Sequence, residues 1–344
     1  MTLLRLAAPI AQLGLWLGAA GCAPTLPPPA PDTPLSVVLL SIDGLRPDAI
    51  HPQRTPTLWR LMEQGAYTLR ARTTLPSYTL PSHTSMLTGV GPDVHGVAWN
   101  EDRVSAVGYV ETPTVFDLAN ARGIESAAVL GKRKLRHLTR PGSLGRLIYP
   151  RETLYRLAPE VVAAVESILL FERPRLLFVH LPDPDVLGHA FGWMSGPYLG
   201  GVRRADAAAH RLLGAAQRAY GDRFVIIVTA DHGGSGRDHG SASDDDVLIP
   251  WIAWGAGVRR GEVARPVRTF DTAATVLRLL EIEVPEGLRG RVVEEALGAP
   301  TSATARRARP RAERVRGGAA WCRTPQRPLP AWGSGAPPAP RRGG

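Results

Sequence analysis

Apolar runs that end in polar clusters dominate the middle of the chain. The first run, Ser36–Ile42, contains no charged residue and stops at Asp43 and Gly44. Three further runs, at residues 127–130, 175–181 and 224–230, are each followed by a glycine, proline or acidic residue. Continuous apolar runs of this length are typical of strands that are buried on both faces, with functional groups at their carboxyl ends.

Helical patterns separate these strands, at residues 57–64, 114–122, 153–171 and 201–220. Alternation of strands and helices predicts an α/β fold, a three-layer αβα sandwich with a central, mostly parallel sheet. Ligands of such folds bind at the carboxyl ends of the strands, which is where this sequence places its acids and histidines.

Charge is concentrated at one end of the chain. The 344 residues carry a net charge of +10, but residues 299–344 hold ten arginines against one acid, a net +9. This Pro- and Gly-rich segment predicts a basic, disordered tail, because it cannot bury enough apolar surface to fold. The remaining +1 gives no reason to expect specific binding of nucleic acid. The composition also excludes a collagen-like, disulfide-stapled or polytopic membrane protein.

The other end resembles a secretory signal. Residues 1–22 combine an early positive charge, Arg5, with a short apolar core and small residues before Cys22. The stretch Ala19-Ala20-Gly21-Cys22 resembles a bacterial lipobox, so we expect export and a lipid anchor on Cys22, at the periplasmic face or in the cell envelope. The alternative is an ordinary cleaved signal with an incidental cysteine. Residues 23–34 are expected to form a proline-rich linker, which leaves 35–298 as one large α/β domain.

Oxygen and imidazole ligands recur at the predicted strand ends and in the loops that follow them. Thr79, just before a predicted helix at 82–87, adds a hydroxyl whose neighbouring helix amides would favour an anionic group. Singly, each residue also fits a structural role, such as a cap or a polar pair. Together they suit two zinc-like ions with open positions for substrate. The candidate ligands are Asp43, Thr79, Asp185, His189, Asp231, His232 and His239.

Five motifs carry a resemblance to a known family. They are SIDGLR at 41–46, TLPSHTSMLTG at 79–89, PDVHG at 92–96 followed by Asn100, PDVLGH at 184–189 and TADHGG at 229–234. In this order they resemble the type I phosphodiesterase / nucleotide pyrophosphatase family of the alkaline phosphatase superfamily. The resemblance implies an alkaline-phosphatase-like fold and a metal-dependent phosphoric ester hydrolase.

The resemblance also implies roles for individual residues. Thr79 matches the nucleophile, which would form a phospho-threonine intermediate, and Asn100 matches the side chain that holds a non-bridging phosphate oxygen. Two divalent ions, expected to be zinc, would be held by two sets of residues. One set is Asp43, Thr79, Asp231 and His232, and the other is Asp185, His189 and His239. His83 and His95 belong to the motifs but are expected to have structural roles.

The chain departs from the larger family members in one respect. His239 follows His232 by only seven residues, so the long insertion that helps to build the substrate pocket is missing and nucleotide preference is not carried over. Lys132 and Lys134, after a predicted strand, resemble the two-lysine segment of phosphonoacetate hydrolase and would bind a second anionic group of the substrate. The alternative is a solvated basic loop.

These observations favour a hydrolase of small phosphorylated substrates, diesters or pyrophosphates in preference to monoesters, attached to the envelope membrane by its lipid. A phosphomonoesterase, with Arg46 or Arg103 over the phosphate, and a phosphonoacetate-hydrolase-like enzyme are the alternatives among enzymes. The alternative outside enzymes is a catalytically inactive envelope binding protein, which the intact set of candidate ligands argues against.

Overall fold

Eight strands form one central sheet in the computed structural model, which describes residues 33–298. Their spatial order is β4-β3-β5-β1-β6-β7-β2-β8. Neighbours from β4 to β6 are parallel, β7 is antiparallel to both β6 and β2, and β2 is parallel to β8. The strands are β1 (Ser36–Ile42), β2 (Ala66–Arg72), β3 (Ser126–Val129), β4 (Arg146–Ile148), β5 (Leu176–Leu181), β6 (Phe224–Thr229), β7 (Leu248–Gly255) and β8 (Gly261–Glu262).

Two groups of helices pack around this sheet. One group contains α8 with α1, α6 and α7, and the other contains α2 with α3, α5 and α10. The helices are α1 (Pro56–Gln64), α2 (Thr79–Thr88), α3 (Pro92–His95), α4 (Val104–Val107), α5 (Val115–Asn120), α6 (Ala158–Phe171), α7 (Asp183–Phe191), α8 (Gly196–Tyr220), α9 (Asp244–Val247) and α10 (Asp271–Leu279). Short 3₁₀ segments lie at Pro47–Ala49, Arg133–Leu138 and Glu294–Ala296. The predicted three-layer sandwich with a mostly parallel sheet is confirmed.

The core lies between the central strands and both helix layers. Every residue of β1, β5 and β6 is buried, as expected of strands that are covered on both faces. Within residues 33–298, no helix combines the length and the apolarity that crossing a bilayer requires. The predicted signal with Cys22 and the basic tail lie outside the described residues.

One predicted helix begins later than its sequence pattern indicated. The pattern extended over 153–171, but α6 begins at Ala158. Pro159 occupies the first turn, where its missing N–H is not needed, and Asp183 Oδ2 accepts the Ala158 N–H at 2.7 Å. The preceding residues instead pair with the segment after β3, through bonds such as Arg156 N–H to Gly131 O at 2.9 Å. A carboxylate from a distant helix therefore sets this boundary.

Candidate metal centre

Three adjacent strands bring the candidate acids together. β5, β1 and β6 are neighbours in the sheet and end side by side, with Ser41 of β1 paired to both His180 and Thr229. Asp43 follows β1, Asp231 follows β6, and Asp185 lies in the first turn of α7 after β5. The loops are packed closely, because a Cβ atom on Gly44, whose φ is +70°, would lie only 3.0 Å from the Asp185 backbone.

Each of these three buried carboxylates has one oxygen that receives no hydrogen bond from the part of the chain that the structure describes. The unpartnered atoms are Asp43 Oδ1, Asp185 Oδ1 and Asp231 Oδ2. Their second oxygens are bonded: Asp231 Oδ1 accepts the Gly44 N–H at 3.1 Å, and Asp43 Oδ2 lies 2.9 Å from His180 Nε2. A buried charged oxygen without a partner is costly. The arrangement therefore calls for a cation between these oxygens.

The three candidate imidazoles are oriented by backbone carbonyls. His189 Nδ1 lies 2.9 Å from Arg237 O, His232 Nδ1 lies 2.8 Å from Gly233 O, and His239 Nδ1 lies 2.8 Å from Ser77 O. A carbonyl oxygen only accepts, so each Nδ1 carries the proton and each Nε2 presents a lone pair. Histidines that bind metals are typically held in this way by their other ring nitrogen.

The lone pairs of these histidines converge on the unpartnered oxygens. Asp185 Oδ1 lies 3.4 Å from His189 Nε2 and 3.5 Å from His239 Nε2, and the two Nε2 atoms are 3.2 Å apart. His232 Nε2 lies 3.2 Å from Asp231 Oδ2 and 3.4 Å from Asp43 Oδ1. Acceptors that face one another at these distances fit divalent cations bound by nitrogen and oxygen, because no hydrogen bond from residues 33–298 reaches the three carboxylate oxygens.

Two overlapping groups of buried side chains have ligand atoms within 4.8 Å of one another. One consists of Asp43, Asp231 and His232, and the other of Asp185, His232 and His239. The pKa shifts differ among these groups: burial and repulsion from Asp43 raise the pKa of Asp231, the contact with Asp185 raises the pKa of His189, and burial lowers the pKa of His232 to about 3. His232 is therefore a neutral imidazole, the form that binds metal.

Lys132, which follows β3, places its ammonium inside the cluster. Nζ lies 2.7 Å from Asp43 Oδ2, 2.5 Å from Asp185 Oδ2 and 3.4 Å from Thr79 Oγ1. Burial alone would lower the pKa of Lys132, but Asp185 and Asp43 raise it, so the side chain is charged. Lys132 thus lies between Asp43 Oδ2 and Asp185 Oδ2, the oxygens of these carboxylates other than the unpartnered ones. A contact with a second anionic group of a substrate stays a prediction.

Thr79 is the first residue of α2, not a residue before the helix as the sequence pattern indicated. Its hydroxyl lies 3.4 Å from His232 Nε2. Pro81 is the third residue of this helix, in the first turn, where its missing N–H costs no intrahelical hydrogen bond. The Leu80 N–H donates to Asn100 Oδ1 at 3.0 Å and Pro81 has no N–H, so this helix terminus offers a phosphoryl group fewer amides than predicted.

The sequence from β1 to the start of β7 matches a known family model. Residues 37–248 match the model described as type I phosphodiesterase / nucleotide pyrophosphatase. The chain belongs to this family. The matched region contains the described residues that form the cluster, from Asp43 to His239.

Curated relatives of this type I phosphodiesterase family member are considerably longer. An uncharacterized pyrophosphatase/phosphodiesterase of Schizosaccharomyces pombe is 26% identical in an alignment of 258 residues that covers 66% of this chain and 52% of the relative. Ectonucleotide pyrophosphatase/phosphodiesterase family member 1 of Rattus norvegicus is 25% identical in an alignment of 266 residues that covers 72% of this chain and 28% of the relative. The chain thus spans about half or less of the length of these relatives.

Solved structures share the fold of this family member. Human ectonucleotide pyrophosphatase/phosphodiesterase 5 superposes with a TM-score of 0.64 at 16% identity, covering 77% of this chain and all of that one. A 2-O GAG sulfatase superposes with a TM-score of 0.62 at 14% identity, covering 77% and 74% of the two chains. The predicted alkaline-phosphatase-like fold is therefore confirmed.

Two histidines contact the cluster through hydrogen bonds, and one of them, His180, lies outside the five sequence motifs. The Gly131 N–H donates to His180 Nδ1 at 3.2 Å, so His180 Nε2 carries the proton and donates to Asp43 Oδ2. His83 Nδ1 donates to Thr79 O at 2.8 Å, and its Nε2 accepts from the Ser41 hydroxyl. The position of His180, in the strand that leads to Asp185, was the only available signal for its contact with Asp43.

Proposed function

We propose that this chain is a metal-dependent hydrolase of phosphoric esters that acts on diesters or pyrophosphates in preference to monoesters. The observation that carries the proposal is the convergence of three unpartnered carboxylate oxygens and three imidazole lone pairs beside the Thr79 hydroxyl. Membership of the type I phosphodiesterase / nucleotide pyrophosphatase family supports the same activity.

Two zinc ions are the proposed cofactors. Asp43, Thr79, Asp231 and His232 would hold one ion, and Asp185, His189 and His239 the other. When bound, such ions lower the pKa of a hydroxyl or water and stabilise charge on the phosphoryl oxygens. The mixture of carboxylates and imidazoles, with Nε2 lone pairs already presented, supports zinc over magnesium, which prefers oxygen ligands.

Thr79 is the proposed nucleophile. Its Oγ1 would form a bond to phosphorus while the ester bond breaks, and the electron pair would leave with the departing oxygen. The hydroxyl proton passes to solvent. Water would then bond to phosphorus and displace the Thr79 oxygen, which takes up a proton and becomes a hydroxyl again, while the phosphate product leaves; this completes a cycle through phospho-threonine. His83 holds the Thr79 carbonyl and Lys132 lies 3.4 Å from its hydroxyl, so both support the position of the nucleophile.

The ion pairs of two arginines support the proposed preference for diesters over monoesters. A monoester carries an additional negative charge, and Arg46 and Arg103 were the candidates to bind it. Arg46 is paired with Asp48 at 2.7 Å and with Asp245 at 2.8 Å, and Arg103 is paired with Glu101 at 2.9 Å. These arginines are already neutralised by acids, which favours a substrate phosphate of lower charge.

Turnover of two model substrates by the purified protein tests the proposal. Zinc content is measured first, and then hydrolysis of bis-p-nitrophenyl phosphate and p-nitrophenyl phosphate by wild type, Thr79→Ala and the control Thr88→Ala, at the far end of the same helix. We expect faster diester turnover and a loss of more than about a thousandfold in Thr79→Ala alone. Activity that survives Thr79→Ala would contradict the mechanism, and a metal-free, inert wild type would support the binding-protein alternative.

We further propose that the protein is exported and anchored to the envelope membrane by a lipid on Cys22. Support comes from the lipobox-like sequence alone. Fractionation of cells that express wild type or Cys22→Ser tests this, with the protein expected in the membrane fraction only when the cysteine is present. An equal membrane content of both proteins would contradict the anchor.

A further inference from the structure

The side chain of Asn100 has a defined orientation beside the proposed nucleophile. Its Oδ1 accepts the Leu80 N–H at 3.0 Å and a hydrogen bond from Lys134 Nζ at 2.9 Å. A backbone N–H and an ammonium can only donate, so the amide oxygen must face both of them. The amide nitrogen is therefore turned away, and it donates no hydrogen bond to any of residues 33–298.

This orientation leaves two N–H donors free next to the site of the proposed chemistry. Leu80 directly follows Thr79 in the first turn of α2, and its N–H is the group that holds Asn100. Because the nearby helix terminus has few amides left, the Asn100 amide supplies donors that the backbone lacks. A rotated amide would present its oxygen instead and repel a phosphoryl oxygen.

The segment that carries Asn100 is fastened to the segment that carries Lys134. Asp102 lies 3.0 Å from Arg133 Nε and 3.0 Å from Arg136 Nε, and the Arg103 N–H donates to His137 Nε2 at 2.8 Å. All three partners belong to the 3₁₀ segment Arg133–Leu138. Lys134, in the same segment, is the contact that reaches the amide itself.

We propose that Lys134 is a positioning residue, whose ammonium holds Asn100 Oδ1 so that the amide N–H groups donate to a phosphoryl oxygen bound at Thr79. The proposal rests on the proposed function. It gives Lys134 a role through Asn100, which differs from direct binding of a second anionic group of the substrate.

A double-mutant cycle tests this role. The variants are Asn100→Ala, Lys134→Met and the double variant, with kcat and KM measured for bis-p-nitrophenyl phosphate. Arg133→Met is the matched control, because it removes a charge from the same segment and loosens Asp102 but does not touch Asn100. Lys134→Arg retains a donor and should restore part of the activity.

We expect Asn100→Ala to lower kcat about a hundredfold, as for the loss of one donor to a developing charge. Lys134→Met should lower kcat about tenfold with little change in KM, and the double variant should be no worse than Asn100→Ala, because Lys134 acts through the amide. Binding of inorganic phosphate by the metal-loaded protein, measured by calorimetry, should follow the same order and does not depend on turnover.

Several results would overturn the proposal. A further tenfold loss in the double variant, or a higher KM only for substrates with a second anionic group, would assign Lys134 to the substrate directly. Wild-type kcat and phosphate affinity in Lys134→Met would exclude any role. Each of these outcomes leaves the dependence on Thr79 intact, whereas activity in Thr79→Ala contradicts the proposed function itself.

Discussion

Removal of the buried charge of Lys132 should destabilise the metal-free protein and make its stability depend on metal. Lys132→Met keeps the length of the side chain but leaves Asp43 and Asp185 without the ammonium that now lies 2.7 and 2.5 Å from them. Removal of one partner from a buried ion pair costs about 3–5 kcal/mol. At roughly 2–4 °C per kcal/mol for a domain of this size, the expected loss in Tm is on the order of 10 °C.

Thermal unfolding of wild type and Lys132→Met in EDTA and in Zn²⁺ measures this effect. Zn²⁺ replaces the missing positive charge, so the rise in Tm between EDTA and Zn²⁺ should be larger in the variant than in the wild type. Arg133→Met is the control, because its partly exposed pair with Asp102 is worth about 0–1 kcal/mol. An unchanged Tm in EDTA, or a loss of the same size with and without Zn²⁺, would refute the reasoning.

Three further predictions concern single side chains. His180→Leu removes the donor to Asp43 Oδ2, so zinc affinity, measured by competition with a chelator, should fall about 10–100-fold; unchanged affinity would contradict its orienting role. Asp206→Ala removes the acceptors of the Thr57 and Leu58 N–H groups at the start of α1 and should cost about 1–3 kcal/mol in urea unfolding. Asp206→Asn keeps one acceptor oxygen but places an NH2 group opposite the other N–H, so it should recover only part of this loss. Burial lowers the pKa of His95 from 6.5 to about 4, so the unfolded chain binds the proton first. The wild type therefore loses stability as the pH falls from 6.5 towards 4, whereas His95→Gln does not have this loss. The difference in Tm by which the wild type exceeds His95→Gln should shrink over that range, and a constant difference would contradict this reasoning.

Local patterns in the sequence were sufficient to predict where the central strands lie and which residues are candidate ligands. The run Ser36–Ile42 was predicted with the bounds that the structure shows, because five apolar residues and two serines, without a charge, precede Asp43 and Gly44 and suit a strand covered on both faces. The four-residue spacing of Asp185 and His189 placed both side chains on one face of α7, and their side chains are 3.4 Å apart.

Contacts between distant segments decided the rest. The start of α6 depends on Asp183 and that of α1 on Asp206, acceptors that are 25 and 149 residues away in sequence from the amides they bind. The sequence identified Lys132 and Lys134 as a basic pair, but only the packed chain shows that one ammonium lies between two carboxylates and the other holds Asn100. Hydrophobic periodicity records which face of an element is buried, whereas the partner of a polar group depends on which segments the fold brings together.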